Sequence, residues 1–311
     1  MTLDLLTVGY FSIDYIFKVN HIPAKGCTAI IEKGYGLKWH FGGCAPNIAV
    51  CASRLGLKTG VLGVLGGDEP SATYVSHLLR EGVYTAGVLR VKGAVAPVTY
   101  MFFDERGDCV TFYYPGISYE GVAPPKGLAS SARALVVTVG NPQFNLRALK
   151  EAKEAKALVV AGLKSDIYSY PKAYIKKLVE LSDMLVLNAQ ELNFILKVLS
   201  LPSREELLKK YSLTLVVTKG KEGSEVYAKD RTFSIPAVPP KKLESPVGAG
   251  DAYIGGLVTG LLKGYDEEEA AKIGAVVASY ALESVGAQEA LPTWKLVEVR
   301  YEEFFGGRLR K

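Results

Sequence analysis

Histidine and cysteine are scarce in this 311-residue chain, with three of the first and four of the second. Cys27, Cys44, Cys51 and Cys109 form no CxxC pair, so a zinc site is not expected. Cys44 and Cys51 are seven positions apart, about two helical turns, and could share a helix face. Buried free thiols are the plain reading. Long apolar runs are also missing. None approaches the roughly 18 residues a membrane helix needs, so no membrane partner is expected. The start, Met1-Thr2-Leu3-Asp4-Leu5-Leu6, lacks a basic leader and a cleavage site, which makes the cytoplasm the default location. Lys and Arg are scattered and the net charge is only +5, which argues against a nucleic-acid partner. The short basic end at Arg308-Leu309-Arg310-Lys311 reads as a solvated tail. Methionine is down to three while tyrosine reaches 18, a lean toward a thermophilic source.

The rest of the composition is that of a globular chain, 49% hydrophobic and 22% charged. The length suffices for one large α/β domain over residues 1–311. Apolar strands are expected at Leu3 to Gly9, Thr59 to Leu65, Ala134 to Val139, Ala157 to Ala161, Met184 to Leu187 and Leu213 to Thr218. Helical segments alternate with them, near Pro46 to Leu55, Pro70 to Glu81, Asn145 to Ala155, Lys172 to Leu181, Gln190 to Leu199 and Arg204 to Tyr211. That alternation implies a mostly parallel sheet covered by helices on both faces. A hairpin at Ser224 to Ala228 and Thr232 to Pro236 precedes three final helices. Half-exposed β segments at Ser12 to Val19, Thr28 to Lys33, Val98 to Asp104 and Cys109 to Tyr114 suggest a small lid sheet from about 12–40 and 96–115. Its open edges and apolar face would be covered by pairing with a second copy, a homodimer through the lid.

The strongest local signal is Ser245-Pro246-Val247-Gly248-Ala249-Gly250-Asp251. Small residues let backbone N–H groups converge where a helix begins, and a helix N-terminus favours anions. An acid beside an anion site makes sense as a base that takes a proton from an attacking hydroxyl. On spacing alone, an equal alternative is that the glycines only turn the chain and Asp251 caps the helix. A dinucleotide fingerprint is a weaker third reading, because Tyr253 stands where the third glycine should be.

Three further motifs stand in order with this one. They are Phe41-Gly42-Gly43-Cys44-Ala45-Pro46-Asn47, Asn188-Ala189-Gln190-Glu191 and Thr218-Lys219-Gly220-Lys221-Glu222-Gly223. Together with Gly248 to Asp251 they resemble the ribokinase (pfkB) family, over nearly the whole chain. Stretches such as Gly140-Asn141-Pro142-Gln143 and Leu291-Pro292-Thr293-Trp294 look most like archaeal nucleoside kinases. The resemblance implies a three-layer α/β/α domain with a small β-sheet lid, ATP as phosphoryl donor, and Mg²⁺. It implies Asp251 as base, with Gly248, Ala249 and Gly250 as an anion hole. Asn188 and Glu191 would organise Mg²⁺ and phosphate, Glu191 through water, and Asn188 also suits a helix N-cap. Thr218, Gly220 and Gly223 would line the nucleotide, unless the glycines merely form a turn. Asp14, Gly42, Gly43 and Asn47 would face the acceptor, and Asn141 is a further candidate. The family's leading Asp-Thr is Ser245-Pro246 here, which weakens the case for a monovalent-cation site. The acceptor is expected to be a nucleoside, with a sugar or sugar phosphate as the second reading and a silent nucleotide-binding member as the third. A phosphorylated acceptor would want a basic residue, for which Lys33, Lys38, Arg90 and Arg106 are candidates.

Overall fold

The computed structural model describes residues 2–32, 38–106, 108–164 and 170–309. Lys33, Gly107, Arg310 and Lys311 lie outside the described residues. In chain order the strands are β1 (Leu3–Val8), β2 (Ser12–Lys18), β3 (Trp39–Gly42), β4 (Thr59–Gly66), β5 (Val88–Val91), β6 (Val98–Phe103), β7 (Cys109–Tyr114), β8 (Ala132–Val137), β9 (Leu158–Gly162), β10 (Met184–Asn188), β11 (Thr214–Thr218), β12 (Ser224–Tyr227) and β13 (Thr232–Ile235). The helices are α1 (Cys44–Arg54), α2 (Glu69–Arg80), α3 (Pro142–Glu154), α4 (Lys172–Leu181), α5 (Ala189–Leu199), α6 (Arg204–Tyr211), α7 (Ala249–Leu262), α8 (Glu267–Ala281) and α9 (Trp294–Phe305).

Side chains alternate across the strands, and both faces of the large sheet are buried. Leu5, Val136, Val160, Val186 and Val216 point into one core with Ile48, Leu257, Ile273 and Val297 from α1, α7, α8 and α9. Leu6, Val137, Val159, Leu187 and Val217 point into the other, with Phe144, Ile175, Leu192 and Leu207 from α3 to α6. This double burial explains why the strands read as unbroken apolar runs. The sheet order is β13-β12-β11-β10-β9-β8-β1-β4-β5. Every pair from β11 through β5 is parallel, and β12 and β13 add an antiparallel edge. The winding reverses between β1 and β8, the place where sheets of this kind leave a crevice at the strands' carboxyl ends.

The second sheet has the order β3-β2-β6-β7. β2 pairs parallel with β6 and antiparallel with β3. Its inner side chains Ile16, Met101 and Phe103 pack on Val247 and Val285, so this lid rests on the loop that leads into α7.

Several expectations need correction. The segment Thr28 to Lys33 is not a strand in its described part. It forms only a bridge from Ile31 to Val19, and Ile30 and Ile31 face solvent, so no core holds it in a sheet. Trp39–Gly42 takes the lid position instead. β5 also went unforeseen, because Val88–Val91 is a short edge strand without a clean apolar pattern. Cys27 and Cys109 are exposed, whereas Cys44 and Cys51 are buried, each in a different core. No disulfide occurs among the described residues. Among them, no helix is long and apolar enough to cross a membrane.

Helices α7 and α8 approach closely because glycines face each other. A Cβ on Gly274 would sit 2.8 Å from the Tyr253 carbonyl oxygen, and one on Gly256 would sit 2.9 Å from Val277 Cγ2. Gly274→Val is therefore expected to overpack this seam and destabilise the fold by about 1–3 kcal/mol. A urea unfolding midpoint equal to that of the parent protein would contradict it.

Candidate active site

A cleft of about 810 Å³ opens at the carboxyl edge of the large sheet, beneath the lid. That volume is in the range of small-molecule sites. Its floor comes from the ends of β10 and β11 (Asn188, Thr218) and from the segments after β1, β8 and β9 (Tyr10, Val139, Lys164). The lid contributes Asp14, Thr99 and Tyr113. Helix α7 enters from the opposite side with Gly248, Gly250 and Asp251.

The α7 terminus is built by backbone constraint. Gly248 is its N-cap with φ 80° and ψ −4°, a left-handed conformation that side chains resist. A Cβ there would also lie 2.4 Å from Ala287 Cβ. No side chain caps the helix, so Asp251 is not its cap. The first-turn N–H groups, which lack intrahelical partners, stand beside the cleft. Ala249 itself does not line the cleft. Asp251 is buried, and its Oδ2 accepts a hydrogen bond from Asn47 Nδ2 at 2.8 Å. Asn47 lies in α1, 204 residues earlier. The Ser245 hydroxyl that replaces the family's acid is buried and accepts from the Val247 N–H at 3.2 Å.

Asp14 comes from β2 and is 5% exposed. Its Oδ1 is buried and has no hydrogen-bond partner among the described residues. Burial pushes its carboxyl above the usual range. The hydroxyls of Ser12 and Thr99 and the charge of Lys164 act in the opposite direction. An unsatisfied acceptor in a cleft suits a ligand hydroxyl. Gly42 does not line the cleft but makes room for this carboxylate. Its Cβ would fall 1.8 Å from Asp14 Oδ2. Gly43 lines the cleft directly, with φ 93°.

Asn188 and Glu191 form a reciprocal capping box at the start of α5. Asn188 Oδ1 accepts from the Glu191 N–H at 2.9 Å, and Glu191 Oε2 accepts from the Asn188 N–H at 2.8 Å. The N-cap reading of Asn188 thus holds, and both side chains also line the cleft. Gly220 and Gly223 are not in its lining. They bracket a tight turn after β11, and a Cβ on Gly223 would meet the Ile235 carbonyl oxygen at 2.0 Å, so the turn accounts for them. Asn141 is likewise outside the lining. Its Oδ1 is taken by the N–H groups of Gln143 and Phe144 as the N-cap of α3, so its side chain is used structurally. Pro142, with no N–H of its own, fits the first position after that cap.

Lys164, Tyr113 and Gln288 escaped the motif search. Lys164 is the only basic side chain lining the cleft among the described residues. The Cys44 sulfur beside it, then Asp251 and Asp14, hold its ammonium above the usual value against the pull of desolvation. Lys164 is solvent-exposed by area, so water screens part of that attraction. The clue to it was its place just past an apolar strand. Lys38, Arg90 and Arg106 do not line the cleft. Arg90 instead donates to the Gly66 carbonyl at 2.5 Å.

The sequence matches the pfkB family carbohydrate kinase pattern over residues 2–294. The chain belongs to the pfkB family. It is a phosphotransferase with an alcohol acceptor, of ribokinase-like fold. A pfkB relative, the nucleoside kinase of Methanocaldococcus jannaschii, is 30% identical over 298 residues, covering 95% of this chain and 96% of that one. The crystal structure of a nucleoside kinase from that organism, an archaeal member of the ribokinase family, superposes with a TM-score of 0.85 at 29% identity. It covers 97% of this chain and 99% of its own. The 5-dehydro-2-deoxygluconokinase of Geobacillus kaustophilus is 25% identical, covering 98% of this chain and 95% of that one.

The Gly42–Asp14 contact yields a test. Gly42→Ala should displace the Asp14 carboxylate and raise the acceptor KM about 10–10²-fold, the worth of one charged hydrogen bond. The KM for ATP should be unchanged. Steady-state kinetics in both substrates decide it, and an unchanged acceptor KM would remove Asp14 from acceptor binding.

Proposed function

We propose that the chain is a cytoplasmic, single-domain kinase that transfers the γ-phosphoryl group of ATP to the primary hydroxyl of a nucleoside. The observation that carries the acceptor class is an aromatic cluster where the floor of the cleft meets the lid. Tyr10 and Tyr113 stack at 5.4 Å, and Tyr119 meets Tyr10 edge-on at 5.7 Å. Such a cluster suits a flat base, while Asp14 Oδ1 suits ribose hydroxyls. The likeness to nucleoside kinases points the same way. Free thiols at Cys27 and Cys109 fit a reducing compartment.

In this reading Asp251 takes the proton from the acceptor hydroxyl. The acceptor oxygen forms a bond to the γ-phosphorus, and the bond from that phosphorus to the β,γ-bridging oxygen breaks, releasing ADP. The N–H groups at Gly248 and Gly250 and the Lys164 ammonium, which border the cleft, face the charge that spreads over the transferred oxygens. Gly43, Asn47, Thr218 and Asn188 all line the cleft, and in this reading the first two border the acceptor and the last two the nucleotide. Gly220 and Gly223 shape the turn beside it. Mg²⁺ keeps several of its waters and travels with nucleotide phosphates. One carboxylate, Glu191, with no cluster of three metal-binding side chains among the described residues, fits such a water-mediated contact. Bound there, Mg²⁺ would neutralise phosphate charge.

A kinase screen with nucleosides, sugars and sugar phosphates checks the acceptor. Nucleosides should give the highest kcat/KM, and a preference for fructose 6-phosphate or ribose would overturn the assignment. With the best acceptor, Asp251→Asn should lower kcat by about 10²–10⁴-fold and leave the KM for ATP nearly unchanged. Turnover at the parent rate would remove Asp251 as base.

We also propose a homodimer through the lid. On its outer face Tyr15 stacks on Tyr100 at 5.3 Å and Phe17 on Phe102 at 4.9 Å, and Phe112 is 61% exposed beside them. A second lid would cover this aromatic surface. Light scattering after size exclusion should give twice the chain mass, and Phe112→Glu should shift it toward the monomer. A monomeric parent protein would contradict the pairing.

A further inference from the structure

The loop after α8 supplies a side chain that belongs to none of the four motifs. Gln288 is 4% exposed and sits at the centre of a buried hydrogen-bond network. Its Nε2 donates to Asn47 Oδ1 at 2.8 Å and to the Tyr74 hydroxyl at 3.1 Å. Its Oε1 faces His77 Nε2 at 2.8 Å. Asn47 passes the connection on to Asp251, and Tyr74 donates to the Gly42 carbonyl at 2.5 Å.

The two ends of the network fix its direction. A backbone carbonyl only accepts, and so does an ionised carboxylate. Tyr74 therefore spends its one proton on Gly42 and must itself accept a bond. Asn47 turns its NH₂ toward Asp251, so its carbonyl faces inward and must also meet a donor. One group has to donate to both. A primary amide, with two N–H groups on one nitrogen, meets that demand, and its carbonyl is then free for the Nε2–H of His77. Glutamate at this position would have no N–H, and an apolar residue would leave both acceptors without a partner.

We propose that Gln288 is a positioning residue for phosphoryl transfer. It locks the Asn47 amide so that Asp251 Oδ2 is occupied and the other carboxylate oxygen is presented to the acceptor hydroxyl. Through Tyr74 the same amide fixes Gly42, which lies against Asp14. The base and the acceptor-binding edge of the lid thus share one reference point. A buried polar chain of this kind holds its geometry because each member would otherwise be unsatisfied. The inference rests on the reading of Asp251 as base.

The test uses the full chain with ATP and the best nucleoside from the screen. Gln288→Met, Gln288→Glu and Asp251→Asn are compared with the parent protein. Gln288→Met should lower kcat about 10²-fold, the cost of a small misplacement of a catalytic group, with the KM for ATP unchanged. In Gln288→Glu the Asn47 amide should turn over and present its carbonyl to Asp251. The acid limb of the kcat–pH profile should then move up by about one pH unit. Asp14, Glu191 and Lys164, the charged groups that share the cleft with Asp251, are unaltered in both. Thermal unfolding identifies any loss that comes from misfolding. Parent-like kcat in Gln288→Met, or activity lost only in proportion to folded protein with a parent-like pH profile, overturns the proposal. If Asp251→Asn turns over at the parent rate, the base assignment falls and this proposal with it. If Asp251→Asn is inactive while both Gln288 variants behave as the parent, this proposal alone falls.

Discussion

The hydrogen bond from Asn47 to Asp251 joins two helices from opposite ends of the chain, and the cleft depends on it. It forms because α1 and α7 lie directly against each other. A Cβ on Gly255 of α7 would come within 2.6 Å of the Cys51 sulfur of α1, so glycine is what permits the approach. Burial in that contact pushes the Cys51 thiol up to about 12, leaving it an inert packing group. The glycines of α7 serve both ends of the problem. Gly248 turns the chain into an amide-lined helix terminus, while Gly255 and Gly256 let that helix settle between α1 and α8.

Charge within the cleft is arranged around this frame. Asp251 and Asp14 approach from α7 and from the lid, and Lys164 comes from the end of β9. These two of the cleft's carboxylates would repel each other, and the Lys164 cation offsets that repulsion. The lid is tied into the same centre. Ile16, Met101 and Phe103 rest on Val247 and Val285, in the two loops that flank the Gly248 turn. A lid movement would thus bear on the helix terminus that meets the phosphates.

Much of this was legible in the sequence because the relevant signals are local. Apolar runs marked the central strands, since burial on both faces leaves no polar position in β10 or β11 except at their ends, and in β8 only the exposed Arg133 near its start. Gly248 to Asp251 was visible as a site, although only the company of three other motifs separated catalysis from a plain cap. What could not be read was nonlocal. Gln288 and Tyr74 carry no motif, and their meaning arises only when the loop after α8 is folded onto α1 and α2. Asn141 was a reasonable ligand candidate at a strand end, but the helix it begins claims its side chain first. Trp39–Gly42 looks like a loop until β2 supplies its hydrogen bonds.

The central claim is that Asp251 acts as a base in one direct transfer, and not as a nucleophile that carries the phosphoryl group. The stereochemistry at phosphorus separates the two. With ATP made chiral at the γ-phosphorus by oxygen isotopes, a single in-line displacement predicts inversion of configuration in the phosphorylated nucleoside. Retention would mean two displacements through a phosphorylated enzyme, and would contradict the account.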